Sequence, residues 1–460
     1  MENVHFESLY PSDSRSKEIE KLLIFVKEGN SCQVVSLPGA GRSNLFGLLS
    51  YNRNIRTKHL GENQKWFHFV AVNLTEVRKK PLSDVTKFLF LSLVDSLRER
   101  KMDEEYQKTN EFFKEAVGLN DELVLFQGLK KTIDLLAIEK ELTVVFLFDR
   151  FEEYIPMLIP EFFANLRVLR SRAKYRFSVV FSLNRPLEDI VEPLLFSDFS
   201  DFLAGHTIYL PLLDTPSLTF RLFYIEKITG KKLEKTTLDT ILKLTAGHGK
   251  LTRVCAEAIL NNETIKQSNN NLTEFLLSQN QVWDALGEIW TSLMPHEQSA
   301  LAQDHESGLR PELRPREIMN QEKELSYLEN VGLLKDEAIT IPLFTEFIKQ
   351  RFLSTMKQLN NETIAYDSQT KEIKKGTIVI SDLLSSQEYR LLRFFIQSGN
   401  RVVEREEIIT SVWPESKNAQ GISDQAIDQL IFRLRHKIED DPNTPTHLQT
   451  IKGRGFRFTP

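Results

Sequence analysis

The chain has 460 residues, with 59 Lys+Arg against 64 Asp+Glu and a formal net charge of −5. Apolar residues make up 41% and charged residues 27%, a globular balance that excludes a disordered or fibrous chain. At ~150 residues per domain, the length implies about three domains, each large enough for its own core. The longest apolar run, around Thr143–Phe148, is strand-sized and far short of the ~18 residues of a membrane span. Met1–Tyr10 is polar and acidic and does not read as a secretion signal. Two isolated cysteines, Cys32 and Cys255, cannot build a metal cage, so buried thiols in a reducing cytoplasm are expected.

In chain order, Ser16–Lys27 carries Ile19, Leu22, Leu23 and Val26 at helical spacing, with Ser16 as the expected N-cap. Apolar, β-branched runs follow at Gln33–Ser36, Trp66–Leu74, Leu142–Phe148, Phe177–Leu183 and His206–Leu213, separated by helical patterns. Such runs predict a parallel sheet covered on both faces. The turn after the first strand is Ser36-Leu37-Pro38-Gly39-Ala40-Gly41-Arg42-Ser43, with a helix expected from about Asn44. Glycines there let backbone N–H groups close on a phosphate, a cation meets the terminal phosphates and a hydroxyl meets Mg²⁺. The same residues can also make a tight strand-to-helix turn with no ligand. The third strand ends in Asp149-Arg150-Phe151-Glu152-Glu153-Tyr154; an acid at that position can hold Mg²⁺ or cap the following turn.

The glycine turn resembles a P-loop of the form G-x-P-G-x-G-K-S, with Ser36 at the first Gly and Arg42 at the Lys. The string from Asp149 resembles the D-Q-F-E-E-L Walker B of the STAND signalling NTPases, a branch of the AAA+-like P-loop proteins. The resemblance implies an α/β P-loop NTPase domain over 1–213 that binds ATP/ADP with Mg. Pro38, Gly39, Ala40, Gly41, Arg42 and Ser43 would hold the phosphates, Ser43 and Asp149 the metal, and Asp149, Glu152 and Glu153 would be catalytic. Arg42 is a planar fork rather than a point charge, so ATPase activity is expected to be weak or absent. Asn184, with Arg185 beside it, stands where AAA+ proteins place a γ-phosphate sensor. Arg170 and Arg172 stand on the preceding helix, where an arginine finger would sit. Pro216–Asn262, with Ala246-Gly247-His248-Gly249-Lys250-Leu251, resembles the lid of the origin-recognition and STAND families (214–270), with Lys250 or Arg253 as second sensor and His248 as a helix cap or core residue. Over 271–356, helical spacing at Val282, Leu286, Ile289, Trp290 and Leu293 is followed by Pro311, Pro315 and a helix around Glu317–Asn330. A stop at Gly332, a strand at Ala338–Pro342 and a helix at Leu343–Phe352 complete a resemblance to the middle winged-helix module of those families.

The last segment, 357–460, shows three period-2 runs (Thr363–Asp367, Lys371–Lys375, Thr377–Ser381), three helical patterns (Ser386–Gln397, Glu404–Trp413, Ser423–Ile438) and a hairpin over His447–Phe458. Four blocks in order resemble the OmpR/PhoB-type winged-helix effector domain, an α+β fold. They are Leu384–Leu392, Gly399–Ile408 followed by Val412-Trp413, Ile427–Lys437 with its R-L-R-x-K ending, and Thr450–Phe458 with its G-x-G-F-x-F ending. Ile427, Leu430, Ile431, Leu434 and Ile438 form one stripe of the third helix. Gln425, Asp428, Gln429, Phe432, Arg433 and His436 lie off it and can face a major groove ~12 Å wide. Thr450, Lys452, Arg454 and Arg457 on the wing suit phosphate or minor-groove contact.

Residues 364–460 carry 14 Lys+Arg and 13 Asp+Glu, a net +1, and the rest carries −6, so the whole-chain charge conceals the one neutral-to-basic module. A near-neutral reader implies weak non-specific affinity and dimer or oligomer avidity. The expected protein is a cytoplasmic regulator that binds double-stranded DNA sequence-specifically. Its NTPase-like module would serve as a nucleotide- or ligand-dependent switch and homo-oligomerisation platform, answering a protein or small-molecule signal without a membrane. Two alternatives stay open: a pseudo-ATPase scaffold that binds no nucleotide, and a working DNA-stimulated ATPase recruited by its winged helix.

Overall fold

The computed structural model describes residues 5–119, 121–262, 272–306, 326–336, 338–359, 363–376, 378–413, 424–439, 442, 444–451 and 453–460, excepting the side chains of 299, 302–306 and 352–359. It divides into two units, Met1–Phe347 and Ile348–Pro460. The first is built on five parallel strands: β1 (Cys32–Val35), β2 (Phe67–Asn73), β3 (Thr143–Asp149), β4 (Phe177–Leu183) and β5 (Thr207–Tyr209), in the order β2-β3-β4-β1-β5. Side chains alternate between two cores. Val144, Phe146 and Phe148 of β3 enter one, while Val145 and Leu147 enter the other, so both faces are dry and the strand reads as a continuous apolar run. The first core is aromatic: Phe151 and Phe181 have ring centroids 4.8 Å apart, and Phe162 and Phe163 5.3 Å. Each such pair adds about 0.5–1.5 kcal/mol beyond its area.

The chain leaves β1 for the far edge, returns through β3 and β4, and places β5 on β1's other side. The carboxyl end of β1 is therefore a switch point, where an open α/β sheet leaves a crevice for ligands. β5 is shorter than the run His206–Leu213 suggests, because Pro211 has no N–H for a ladder. Ser16 is not the cap of Ser16–Lys27. Arg15 occupies that position in the left-handed region (φ 50°), held there by side-chain bonds to distant carbonyls. The helix after the glycine turn begins at Arg42, two residues before Asn44.

Three helices follow the sheet: Thr215–Thr229, Lys235–Thr245 and Gly249–Asn261. Next come Asn280–Thr291, Pro295–Glu306, a helical turn at 326–330 and a hairpin pairing Leu334–Lys335 with Ala338–Ile339. Gly332 (φ +75°) ends the turn as a left-handed stop, and a helix starts at Pro342. Pro311, Pro315 and most of the helix expected at Glu317–Asn330 lie outside the described residues.

In the second unit, Ile364–Tyr366, Ile373–Lys375 and Ile378–Val379 form a small antiparallel sheet. Helices Ser386–Ser398, Arg405–Val412 and Asp424–Ile438 surround a core containing Leu391, Phe395, Ile408, Leu434 and Phe458. Leu448–Ile451 and Gly455–Phe458 form the terminal hairpin, with Val402–Val403 as the third strand. Thr377 and Ser423 lie outside the described residues. Cys32 and Cys255 are buried thiols, and burial raises the pKa of both.

Candidate functional site

The glycine turn sits at the carboxyl end of β1. Gly39 (φ +81°) and Gly41 (φ +111°) both occupy the left-handed region, which a side chain would penalise. Gly39 is required for a second reason. A Cβ there would lie 2.7 Å from Lys250 Cβ and 2.9 Å from His248 Cε1. The helix Gly249–Asn261 thus starts directly on the loop. The His248 side chain caps it, its Nδ1 accepting from Leu251 N at 3.3 Å. That bond leaves the ring proton on Nε2, which donates to Pro38 O at 2.8 Å. Lys250 N donates to Gly39 O at 3.0 Å. Burial lowers the His248 pKa to about 4, so the ring is neutral at physiological pH. Arg15 Nη2 donates to Ala40 O at 2.6 Å and Nη1 to Pro211 O at 2.8 Å. Three successive loop carbonyls, those of Pro38, Gly39 and Ala40, are therefore held from outside.

Arg42 begins the helix Arg42–Tyr51 and reaches across the strand ends. Its Nη2 donates to Glu152 Oε1 at 3.0 Å and to Asn184 Oδ1. Arg42 Nη1, Glu152 Oε2 and Asn44 Oδ1 are buried with no hydrogen-bond partner among the described residues. Asp149 Oδ1 accepts from Ser182 Oγ at 3.0 Å and from Arg150 N at 3.1 Å. Glu153 faces Arg150 (3.5 Å) and Arg78 (3.8 Å) at the surface. A cavity of about 40 Å³ lies beside the loop, among Tyr10, Arg15, Gly41, Asn44, Asp214 and Arg221. It admits waters but falls well below the ~300 Å³ of a small-ligand pocket.

The fold brings together Pro38–Ser43, Asn184 and Glu152, with Asp149 at the end of the adjoining strand. It turns other candidates away. Lys250 Nζ pairs with Glu288 at 2.6 Å, Arg253 with Glu257 at 2.9 Å and Arg172 with Asp134, while Arg170 Nε donates to Gly29 O at 2.9 Å. Arg185 forms a buried ion pair with Glu297 and lies 4.0 Å from the Tyr327 ring centroid. The Tyr327 hydroxyl donates to Asn184 O at 2.6 Å, and burial raises its pKa. The backbone of Asn184 is thus tied to the middle module. The role of Arg15 escaped sequence reasoning, since its acceptors lie 25 and 196 residues away.

The second unit presents Asp424–Ile438 with Ile427, Leu430, Ile431, Leu434 and Ile438 buried. Gln425, Asp428, Gln429, Phe432 and Arg433 are exposed. The Phe432 and His436 rings meet at a tilt of 52° with centroids 4.1 Å apart, and His436 Nδ1 lies 2.9 Å from Phe432 O. Asp428 is held by Arg405 at 2.6 Å, a helix-positioning contact missed in the sequence. Arg435 donates to Leu448 O at 2.9 Å and to Thr450 Oγ1 at 2.7 Å, locking helix to wing and engaging Thr450. Arg457 Nη2 donates to Gln449 Oε1 at 2.9 Å, while its Nε is buried with no partner among the described residues. Arg454 is exposed at the wing turn; Lys452 lies outside the described residues. Gly455 (φ +125°) fits because a Cβ there would lie 2.1 Å from Val403 O.

Glu388 joins the first helix of this unit to the third. It is 3% exposed and accepts from Lys437 Nζ and from Ser385 N, both at 2.7 Å, with Arg433 Nε at 3.7 Å. Burial pushes its pKa up, but the bonds from Lys437 and Ser385 outweigh that and hold it below the usual value.

Residues 383–458 match the family model described as "Transcriptional regulatory protein, C terminal". Among curated proteins, Protein PetR of Rhodobacter capsulatus is 32% identical over 106 residues, covering 23% of this chain and 44% of that protein. The uncharacterised transcriptional regulatory protein YrkP of Bacillus subtilis is 37% identical over 144 residues, covering 28% of this chain and 60% of that protein. The chain therefore spans less than two thirds of either relative. Among solved structures, the Walker-type ATPase PABY2304 of Pyrococcus abyssi is similar at TM-score 0.44 and 11% identity, over 76% of this chain and 98% of that one. The Aeropyrum pernix ORC1 protein, solved in complex with DNA, is similar at TM-score 0.35 and 14% identity, over 78% and 88%. The C-terminal segment, with its three helices and terminal hairpin, belongs to the winged-helix C-terminal domains of transcriptional regulatory proteins.

Proposed function

We propose that the chain is a cytoplasmic, sequence-specific DNA-binding transcription regulator. The observation that carries this reading is the helix Asp424–Ile438, one face fully buried and the other offering Gln425, Gln429, Phe432 and Arg433 to solvent. Gln and Arg on such a face can pair with adenine and guanine edges in a major groove. Arg454 and Arg457 on the wing would contact phosphate, as would Lys452. Asp428 and Thr450 would act through the contacts that orient helix and wing. Double-stranded DNA is the partner, bound by a homo-oligomer whose avidity offsets the near-neutral charge of the reader.

On this reading the chain has four modules: a nucleotide-binding domain (1–213), a lid (214–270), a middle winged helix (271–356) and the reader (357–460). The first three act as a switch. Buried orphan atoms on Arg42, Asn44 and Glu152 support a phosphate-bearing ligand at the glycine loop, because such groups are costly unless paired. ATP or ADP would supply the phosphates, with Mg²⁺ held by Ser43 and Asp149. Arg42 would leave Glu152 and Asn184 for the terminal phosphates, and the lid's grip on the loop carbonyls would release. Mapping bound genomic DNA with and without ATP tests the reading. A shared motif whose occupancy changes with ATP supports it, and an absence of enriched sites refutes it.

One observation favours the pseudo-ATPase alternative: the loop cation is already neutralised by Glu152. Calorimetry that detects no ATP binding, alongside intact DNA binding, would select that reading.

A further inference from the structure

A cavity of the first unit lies away from the glycine loop, along the free edge of β2. It measures about 1230 Å³ and is lined by Arg53, Arg56, Lys65, Arg98, Arg100 and Lys101, among others. Edge strand β2 (Phe69, Ala71, Asn73) forms one wall, and the end of the helix Arg42–Tyr51 another.

Three of its guanidinium groups lack a counter-charge among the described residues. Arg56 is 9% exposed; its Nη1 donates to Leu49 O and Ser50 O at 2.9 and 2.7 Å, and its Nε has no partner among the described residues. Arg100 donates to Phe67 O and, at 3.1 Å, to His68 Nδ1. That bond fixes the His68 proton on Nε2, which meets Ser96 Oγ at 2.8 Å. His68 is fully buried and therefore neutral, and cannot be mistaken for a counter-charge. Among the described residues, no carboxylate forms an ion pair with Arg53, Arg56 or Arg100. Of the carboxylates lining the cavity, Asp95 pairs with Arg98 at 2.8 Å and Glu99 faces His5 at 3.8 Å, while Glu62 and Glu76 are exposed. Burial, and then the neighbouring Arg100 and Arg53, lower the Arg56 pKa to about 10.

A desolvated cation without a counter-ion, as Arg56 is, is costly, and guanidinium forks match phosphate oxygens. We propose that this cavity is a binding site for a small phosphorylated molecule, distinct from the glycine loop, with Arg53, Arg56 and Arg100 gripping its phosphate. The cavity's size fits a ligand of metabolite dimensions.

The test is calorimetric titration of the full chain with inorganic pyrophosphate. Three proteins are compared: wild type, Arg53→Gln and Arg42→Ala. Arg53 is exposed and makes no bond the fold needs; Lys65→Gln, at the same cavity, is a second variant with the same expectation. Binding should weaken about tenfold in Arg53→Gln, the scale of one charge-assisted hydrogen bond, and persist in Arg42→Ala. Loss in Arg42→Ala with Arg53→Gln unchanged would place the anion at the glycine loop and overturn the proposal, as would no binding by wild type. Displacement of pyrophosphate by a short single-stranded oligonucleotide would also overturn it, in favour of a nucleic-acid path.

Discussion

Replacing Glu388 by Gln should loosen the packing of the helix Asp424–Ile438, chiefly through the loss of its ion pair with Lys437. The carboxylate is 3% exposed and takes two bonds of 2.7 Å, from Lys437 Nζ and Ser385 N. A bond to a charged group contributes roughly 1.5–3 kcal/mol. The Gln oxygen can keep the Ser385 bond. Lys437 is 31% exposed and retains Leu383 O at 2.8 Å, so part of its loss returns as hydration. The net cost is about 2 kcal/mol, or roughly 30-fold in the opening equilibrium. Amide hydrogen exchange reads this directly on Ser386–Ser398 and Asp424–Ile438. The pH dependence has a fixed sign. Glu388 has a lowered folded pKa, so its contribution is complete above the unfolded value of ~4.3 and is lost as pH falls through the folded value. The two proteins should differ fully at pH 7 and converge in acid. Equal protection at pH 7, or a gap that widens in acid, would refute the reasoning.

Three other outcomes follow from the geometry. Gly455→Ala forces a Cβ to 2.1 Å from Val403 O at φ +125°, so the hairpin must separate from Val402–Val403; a loss of about 3 kcal/mol or more is expected in denaturant unfolding of the second unit. Gly39→Ala drives a Cβ into Lys250 and His248, and should raise proteolysis or hydrogen exchange across Gly249–Asn261 while leaving the second unit unchanged. His248 has a folded pKa lowered to about 4 by burial. Its contribution to holding the helix Gly249–Asn261 on the loop is therefore complete above the unfolded value of ~6.5 and falls as pH drops from there toward about 4. Exchange of the Gly39–Gly41 amides, corrected for intrinsic rate, should be flat from pH 7 to 8 and rise below pH 6; a rise on the alkaline side would contradict it.

Much of this architecture is legible along the chain because it is local. Each strand of the sheet announces itself as a β-branched or aromatic run, and Phe177–Leu183 has the same limits in sequence and structure. The Ile427–Ile438 stripe and the glycines of the wing likewise follow from spacing and φ. What sequence reasoning missed is made of long-range partners. Nothing in the spacing singles out Arg15, yet it binds carbonyls at Ala40 and Pro211. Lys250 and Arg253 have sensor-like positions, yet their charges go to Glu288 and Glu257. Arg185 is one residue past the sensor position, and its partner Glu297 lies 112 residues on. Arg53, Arg56 and Arg100 look unrelated until the end of one helix and the end of another are brought against β2. Net charge misleads because it adds −6 over residues 1–363 to +1 over residues 364–460.

The central claim is that Asp424–Ile438 reads base sequence. The direct measurement is the affinity of the full chain for a mapped genomic site and for a scrambled duplex, by fluorescence anisotropy across a salt series, for wild type and for Gln429→Ala/Arg433→Ala. The account predicts that the double variant loses at least about tenfold on the mapped site, the scale of one base-edge pair, with little change on the scrambled duplex beyond the removed charge. Equal losses on both duplexes, or no loss on the mapped site, would contradict it.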